Sequence, residues 1–316
     1  MTVIGVDLGG THVRIVALDA SAHIFVRRKI LTEAARGADH IIGAILSEIL
    51  AIGAQKGVAP LRALGIGVTG PVDMATGIVS NPYTLCGWPP TDLRSPFSVA
   101  LGVPVVIDND ANVAAVGEWW RGAGAGCRRM TMVTVGTGIG VATLIDGVVQ
   151  RATNGRHGEA GHMILDPRGP DCYCGAKGCW EVLGSGTSLH KQAQALARES
   201  LGMLRDLAGG DPDKATADHV FAVARAGDSA AAAVVDDFAN WLGRGLVNLA
   251  STVMPDVFVL SGGVMAHFDL IEAKITSVLR RHAVMIPTEI AVVAATLGDV
   301  AGAVGAARLA LDQTAL

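Results

Sequence analysis

Short apolar runs rich in β-branched residues recur along the chain, and each ends in glycine or in an acidic residue. Between them lie alanine- and leucine-rich segments whose apolar residues have helical spacing. Alternation of strands with helices is typical of α/β proteins, in which ligands usually bind at the loops that follow the strands. We predict strands at TVIGVDLGG, LRALGIGVTG, VPVVIDND, MTMVTVGTG and PDVFVLSGGV, and helices at residues 39–56, 187–199 and 230–253.

Two parts of this pattern echo each other. VIGVDLGGTHVRIVALDA, from Val3, and MVTVGTGIGVATLIDG, from Met132, both read as strand, glycine-threonine turn and strand. They align with Gly9 over Gly136. A repeat of this kind predicts two related lobes that each open with a glycine-rich hairpin, and a chance match is the alternative.

The composition narrows the classes of function. Hydrophobic residues make up 50% of the 316 residues but aromatic residues only 4%, which predicts an aliphatic, alanine-rich core. The formal charge of −4 and the lack of a basic tract disfavour a surface for nucleic acid. The N-terminus does not resemble a secretory signal, and the longest uncharged run, residues 130–145, is too short and too polar to span a bilayer. We therefore expect a soluble, cytoplasmic protein that does not bind membranes.

Two glycine-threonine turns have the composition of phosphate-binding loops. In DLGGTH the turn leaves backbone N–H groups open to phosphate oxygens, and Asp7 at the strand end could hold Mg²⁺ or its water ligands. GTGIG, residues 136–140, offers the same chemistry, and a plain β-turn is the alternative for either motif. GIGVTG, residues 65–70, matches a dinucleotide fingerprint, but the residues after it read as loop and hairpin, so we interpret the match as accidental.

Asn109 and Asp110 follow a predicted strand in IDNDAN and precede a helix-like segment. The N-terminus of a helix stabilises anions, and Asp and Asn are also common helix caps. Capping explains one polar residue here but not the whole run. A carboxylate at Asp110 could accept the proton of a substrate hydroxyl as that hydroxyl attacks a phosphoryl group, which is the role of a general base in kinases.

Three of the five cysteines form a C-x-C-x₄-C pattern downstream of His162. One imidazole and three thiolates are a closed tetrahedral ligand set, typical of structural Zn²⁺. A redox pair and unpaired core thiols are the alternatives, although Cys172 and Cys174 are too close for an unstrained disulfide. Glu159 and Glu181 flank the ligands, so the metal would fix two acceptors for a polyol, with solvated glutamates as the alternative. The predicted metal ligands are His162, Cys172, Cys174 and Cys179.

The chain resembles the ROK family of bacterial sugar kinases over essentially its whole length. The matching motifs, in the family's order, are DLGGT, GVTGPVD, NPYTLCGW, DNDAN, GTGIG, GEAGH, CYCGAKGCWE, PDVFVLSGGV and LGDVAGAVGAA. The resemblance implies an α/β protein of the actin-like ATPase (ribonuclease H-like) fold, with two α/β lobes around a deep cleft. It implies a small N-terminal lobe at residues 1–118, joined by a C-terminal helix at about 300–316, and a large lobe at 119–299 with the zinc-binding knuckle.

The resemblance also implies the reaction, which is ATP-dependent phosphorylation of the 6-hydroxyl of a hexose, with D-glucose as the first expectation. N-acetylmannosamine, N-acetylglucosamine, mannose, fructose and allose are the alternative substrates. Mg²⁺ would accompany ATP, Zn²⁺ would shape the sugar pocket, and the protein would form a homodimer or homotetramer. A sugar-sensing regulator is the alternative from another class, but its DNA-binding domain would have to precede GVDLGGT, which begins at residue 5.

Carried over by position, the resemblance assigns a role to each motif. Asp110 matches the catalytic base. Two departures concern His12, where many members have lysine, and NGRHGEAGH, whose Arg156 and His157 stand where relatives often have small apolar residues. The positions matching the sugar site are Gly70, Asn81, Asn109, Asp110, Glu159, His162 and Glu181, and the predicted ATP-binding residues are Asp7, Gly9, Gly10, Thr11, Thr137, Gly138, Gly262 and Gly263.

Overall fold

The computed structural model divides the chain into two compact units. The first contains Met1–Arg128, Leu144–His157 and Ala295–Leu316, and the second contains Arg129–Thr143 and Gly158–Ala294. The lobe boundaries implied by the resemblance, 1–118 with 300–316 and 119–299, stay a prediction. The structure describes residues 1–19, 21, 23–56, 58–81, 84–152, 155, 158–199, 202–281 and 289–313.

A five-stranded sheet forms the centre of the first unit, in the order β3-β2-β1-β4-β8. The first three strands pair antiparallel, whereas β1 with β4 and β4 with β8 pair parallel. A small sheet, β5-β6-β7, includes the hairpin expected after GIGVTG, so no helix opens at that motif. The strands are β1 (Thr2–Leu8), β2 (His12–Leu18), β3 (Ile24–Leu31), β4 (Leu61–Val68), β5 (Val72–Asp73), β6 (Ile78–Val79), β7 (Thr91–Asp92) and β8 (Val105–Asn109).

Helices of the first unit cover this sheet with aliphatic side chains. They are α1 (Ala38–Gly53), α2 (Arg94–Leu101) and α3 (Asp110–Arg121). The buried residues of α1 recur every three or four positions, so one isoleucine-rich face packs on the sheet. Helix α3 begins directly after β8, which places Asp110 in its first turn.

A second sheet has the order β11-β10-β9-β12-β13. The second unit, which contains β9, β12, β13 and β10 as far as Thr143, has its own aliphatic core. The strands are β9 (Arg129–Val135), β10 (Ile139–Ile145), β11 (Val148–Val149), β12 (Val257–Ser261) and β13 (Ala291–Ala294). The helices are α4 (Trp180–Gly184), α5 (Gly186–Glu199), α6 (Met203–Leu207), α7 (Ala217–Arg225), α8 (Ser229–Val253) and α9 (Phe268–Arg280). The predicted strands and the three predicted helices are confirmed, with ends that shift by at most three residues.

The two sheets share one topology. In each, the first two strands form a hairpin around the glycine-threonine turn, and the third lies antiparallel beside the second. On the other side, the fourth strand of the sheet is parallel to the first, and the fifth is parallel to the fourth. The echo between residues 3–20 and 132–147 is therefore the sequence signature of a repeated topology rather than a chance match.

Helix α10 (Ala301–Gln313) returns to the first unit and packs on β1, β4 and α3. The packing is close because glycines face it: a Cβ atom at Gly5 would lie 1.8 Å from the carbonyl oxygen of Ala303. Within α10, a Cβ atom at Gly305 would lie 1.7 Å from the carbonyl oxygen of Val113 in α3. Side chains larger than hydrogen are excluded at these crossings.

Among the described residues, every helix is too short or too polar to cross a bilayer.

Candidate active site

Asp110 lies at the junction of β8 and α3, where the backbone of the helix meets its carboxylate. The backbone N–H of Ala111 donates to Asp110 Oδ1 at 2.9 Å and to Asn109 Oδ1 at 2.9 Å, so Asn109 caps the helix as expected. Burial raises the pKa of Asp110 above its ordinary value, although hydrogen bonds from Ala111 and Thr69 act in the opposite direction. A carboxylate with a raised pKa is a stronger base, which suits proton abstraction.

Gly70 and Asn81 lie beside this junction. Asn109 Nδ2 donates to the carbonyl oxygen of Gly70 at 3.2 Å, and Asn81 Nδ2 donates to that of Thr69 at 3.1 Å. Gly70 has a φ of 103°, and a Cβ atom there would lie 2.5 Å from the side chain of Asn81. Only glycine fits this position. These contacts connect the predicted residues Gly70, Asn81, Asn109 and Asp110 into one group.

Asp7, at the end of β1, is electrostatically coupled to Asp110. Burial, and next the charge of Asp110, raise the pKa of Asp7 to about 6, while Arg14 Nη1, 3.9 Å from Asp7 Oδ2, acts against the shift. Two acidic groups that repel each other in a buried place are relieved by a cation, and carboxylates are the ligands that Mg²⁺ prefers. The chemistry of Asp7 therefore fits a magnesium ion.

The first glycine-threonine turn joins β1 to β2. The N–H of Gly9 donates to the carbonyl oxygen of His12 at 3.1 Å, and the Thr32 hydroxyl donates to that of Gly9 at 2.6 Å. The N–H of Thr32 also donates to the carbonyl oxygen of Thr11, at 3.0 Å. Thr32 thus fixes the shape of the turn that contains Gly9, Gly10 and Thr11. In the sequence, Thr32 lies well beyond the DLGGTH motif.

The second glycine-threonine turn, in the second unit, is tied to Glu181. Glu181 Oε2 accepts from the N–H of Ile139 at 2.9 Å, and a Cβ atom at Gly138 would lie 2.1 Å from the same oxygen. β9 and β12 pair in parallel, with Thr134 opposite Ser261, so the turns that follow them are neighbours. The second unit therefore groups the predicted residues Thr137, Gly138, Glu181, Gly262 and Gly263.

The predicted metal ligands converge in the second unit. The nearest donor atoms of His162, Cys172, Cys174 and Cys179 all lie within 4.8 Å of one another. Cys172 Sγ is 3.5 Å from His162 Nδ1, and Cys174 Sγ is 3.6 Å from Cys179 Sγ. A tetrahedral zinc ion with ordinary bond lengths separates its ligand atoms by about 3.5 to 3.8 Å. The donor set and its spacing fit zinc.

The side of His162 that faces away from the cysteines contacts Tyr173, an aromatic residue to which none of the sequence motifs gives a role. Tyr173 Oη is 3.1 Å from His162 Nε2, and the two rings meet edge to face with centroids 5.1 Å apart. Desolvation first, and then the charge of Glu181, raise the pKa of Tyr173 to about 12. The cysteine spacing predicts a metal site, but it gives no signal for the contact of Tyr173, which lies between Cys172 and Cys174.

The predicted residues thus form two groups, one in each unit. Exposed Glu159 belongs to the second, where its carbonyl oxygen accepts from the N–H of His162 at 3.0 Å. Arg156 and His157, which carry one of the departures from the family pattern, lie outside the described residues.

The repeated sheet topology and the strand-end turns define an α/β protein of the actin-like ATPase fold. Within that fold the chain belongs to the ROK family, whose family model matches residues 3–313. It is 33% identical to the glucokinase of Halalkalibacterium halodurans, over 98% of this chain and 95% of that protein. It is 36% identical to the glucokinase of Streptomyces coelicolor, over 98% and 97% of the two chains.

A solved structure extends the comparison. The crystal structure of a ROK family glucokinase from Streptomyces griseus, in complex with glucose and AMPPNP, superposes with a TM-score of 0.80. The two chains are 34% identical, and the match covers 99% of this chain and 100% of that one. The similarity therefore extends over the whole chain rather than over one motif.

Proposed function

We propose that this protein is an ATP-dependent sugar kinase that transfers the γ-phosphoryl group of ATP to the 6-hydroxyl of D-glucose. The observation that carries the proposal is Asp110, a half-buried carboxylate with a raised pKa at the N-terminus of α3, where it acts on the pKa of Asp7. The likeness to glucokinases along the whole chain supports the choice of glucose.

Asp110 acts as the general base in this proposal. It accepts the proton of the 6-hydroxyl while the sugar oxygen forms a bond to the γ-phosphorus and the bond from that phosphorus to the β-γ bridging oxygen breaks, which releases ADP. Asn109 caps α3 and donates to Gly70, so it holds both the base and the neighbouring turn in place. A base fixed by the backbone in this way loses little entropy when the substrate binds.

The family resemblance assigns sugar recognition to polar side chains. Asn81 and Asn109 offer amide groups, and Glu159 and Glu181 offer acceptors for hydroxyl groups. His162, whose Nδ1 faces the cysteines, offers its Nε2–H as a donor. A site built from such groups discriminates strongly among sugars, because an analogue that lacks a hydroxyl leaves a protein group unpaired. Glu181 is also bound to the N–H of Ile139, so sugar binding and the shape of the second glycine-threonine turn depend on the same carboxylate.

ATP binds at the glycine-rich turns. By resemblance, Gly9, Gly10, Thr11, Thr137 and Gly138 belong to phosphate-binding loops, which offer backbone N–H and hydroxyl groups. Gly262 and Gly263 match the turn on the nucleotide side. Mg²⁺, when bound, neutralises the charge that develops on the phosphate oxygens, and Asp7 is the side chain that would hold it. These assignments extend the resemblance residue by residue.

His162, Cys172, Cys174 and Cys179 would hold a structural zinc ion. Such an ion has no open position for a substrate, so its contribution is to hold the segment of Glu159 and His162 close to the start of α4, where Glu181 lies. We also propose that the protein is a homodimer or homotetramer, as the family resemblance implies, which sedimentation analysis of the purified protein measures directly.

The test is a phosphorylation screen with Mg-ATP and about ten hexoses, in which ADP release and the sugar phosphate are both measured. The expected result is glucose 6-phosphate. A clear preference for N-acetylmannosamine or another hexose would overturn the choice of glucose and leave the sugar kinase intact. Absence of ADP release with every sugar, from protein that binds glucose, would contradict the kinase itself and favour a sugar-sensing role.

A further inference from the structure

Tyr173 projects from the loop between Cys172 and Cys174 and is 81% exposed. Very little of its ring is packed against the protein. Its hydroxyl is nevertheless held, because Tyr173 Oη lies 3.1 Å from His162 Nε2 while the ring meets the imidazole edge to face. An exposed aromatic side chain anchored mainly by its hydroxyl can leave this position at small energetic cost.

The hydroxyl of Tyr173 also reaches acidic groups. After desolvation, the charges of Glu181 and Glu159 are among the causes that raise its pKa. His162, Glu181 and Glu159 are the three residues of the second unit to which the proposed function gives sugar hydroxyls. The phenolic hydroxyl of Tyr173 therefore lies among the groups that would bind the substrate.

A phenol and a sugar alcohol have the same hydrogen-bonding capacity, since each has one O–H donor and an oxygen that accepts. A sugar hydroxyl that binds to His162 Nε2 and Glu181 would take the place of Tyr173 Oη, because the two oxygens would need the same space. The free protein thus keeps these polar groups satisfied, and the sugar exchanges one set of hydrogen bonds for another.

We propose that Tyr173 is a specificity-determining residue whose hydroxyl occupies the position of one sugar hydroxyl on His162, beside Glu181, in the free protein and is displaced when the sugar binds. The inference rests on the proposed function, because it needs His162 and Glu181 to contact the sugar. Its consequence is that Tyr173 competes with the substrate, so the measured affinity is lower than the intrinsic affinity of the open site.

The test is isothermal titration of glucose into zinc-loaded wild-type protein and the variants Tyr173→Phe and Tyr173→Ala. Loss of the competing hydroxyl should lower the Kd for glucose by about three- to tenfold in both variants, which is the range expected for one hydrogen bond. An unchanged or higher Kd in Tyr173→Phe would overturn the inference, as would a gain that appears only in Tyr173→Ala. Equal zinc content in the three proteins shows that the metal loop is intact.

A second measurement identifies the hydroxyl that is replaced. The sugars 1-, 2-, 3- and 4-deoxyglucose each lack one hydroxyl group. One of the four lacks the hydroxyl that displaces Tyr173, so the hydroxyl of Tyr173 can stay in place when that sugar binds. This sugar should gain no affinity in Tyr173→Phe, while the other three gain as glucose does. An equal gain for all four would contradict direct replacement of a sugar hydroxyl.

The two proposals fail in different ways. If wild-type protein phosphorylates no hexose, the proposed function is wrong. If it phosphorylates glucose and Tyr173→Phe binds glucose no more tightly than wild type, the kinase stands and only the role of Tyr173 is wrong.

Discussion

Arg151 donates two hydrogen bonds to the carboxylate of Asp108, a side chain that is only 1% exposed. The same carboxylate accepts from the N–H of Asn109 at 2.6 Å and from Asn112 Nδ2 at 3.0 Å. Asp108 therefore joins residue 151, far along the chain, to the residue that directly precedes Asp110. The catalytic base proposed above begins its helix next to a buried ion pair.

The substitution Arg151→Ala should lower the free energy of unfolding by about 3 to 5 kcal/mol, because it leaves the buried charge of Asp108 without its partner. Turnover should fall as well, since Asp108 fixes the backbone beside Asp110. Urea unfolding and steady-state kinetics measure the two effects. Arg128→Ala is the matched control: Arg128 and Asp146 form an exposed pair, 81% and 55% accessible, which water screens. Equal losses in the two variants would contradict a special role for Arg151.

Asp110→Asn should reduce turnover by about 10²- to 10⁴-fold, the usual contribution of a general base. Glucose binding should persist, because the amide preserves the shape of the side chain and the cap by Asn109. Titration calorimetry and the coupled ADP assay separate the two effects. Turnover equal to wild type would exclude Asp110 as the base.

The pH dependence of wild-type kcat/KM should reflect the raised pKa of Asp110. A base works only when deprotonated, so activity should fall as pH decreases through that pKa. Because burial raises the value, the fall should occur at higher pH than for an ordinary aspartate, whose pKa is 3.8. Protonation of Asp7, with a pKa of about 6, acts in the same direction before Mg-ATP binds. A profile that stays flat down to pH 4 would contradict this assignment.

Cys174→Ser should reduce zinc from about one ion per chain to a small fraction and weaken glucose binding by at least about tenfold. The expected cause is loss of the frame that holds Glu159, His162 and Glu181. Elemental analysis and titration calorimetry provide the two readouts. Cys86→Ser, at another exposed cysteine outside the cluster, is the control and should keep zinc and affinity. Zinc loss with unchanged glucose affinity would show that the metal does not support glucose binding.

Two glycine-to-alanine substitutions should have opposite effects on stability. Gly305→Ala places a methyl group against the backbone of α3 and should destabilise by about 1 to 3 kcal/mol or more. Gly43 is an exposed position inside α1 with open space around it, so Gly43→Ala should stabilise by about 0.5 to 1 kcal/mol. Urea unfolding of both variants provides the comparison. Similar effects of the two would mean that α10 is not closely packed against α3.

Much of the fold could be predicted from local signals. Strands and helices follow the period of apolar residues, as the isoleucines of α1 illustrate. The turns after β1 and β9 share a glycine-threonine pattern that reveals the repeated topology. The cluster of possible metal ligands was predictable because Cys172, Cys174 and Cys179 lie close together in the chain and few other functions need that spacing.

The remaining contacts leave no periodic signal because their partners are distant. Glu118 is fully buried and accepts from the N–H groups of Thr296 and Leu297, at 3.1 and 2.8 Å, across a separation of 178 and 179 residues. Arg151 and Asp108 form the same kind of pair. Tyr173 is near the metal ligands in sequence, but its contact with His162 depends on the direction of the side chain, which spacing does not encode.

Helix α10 has a consequence for protein synthesis. Its residues 303–310 complete a hydrophobic cluster that also contains Val3, Val16 and Ala63. Strands near the start of the sequence therefore pack against a helix that is synthesised much later. Residues 129–294 leave the ribosome before that helix does. The apolar side chains of the first sheet that α10 covers therefore stay exposed while the second unit is translated. Nascent chains in this interval are the form that a chaperone would bind.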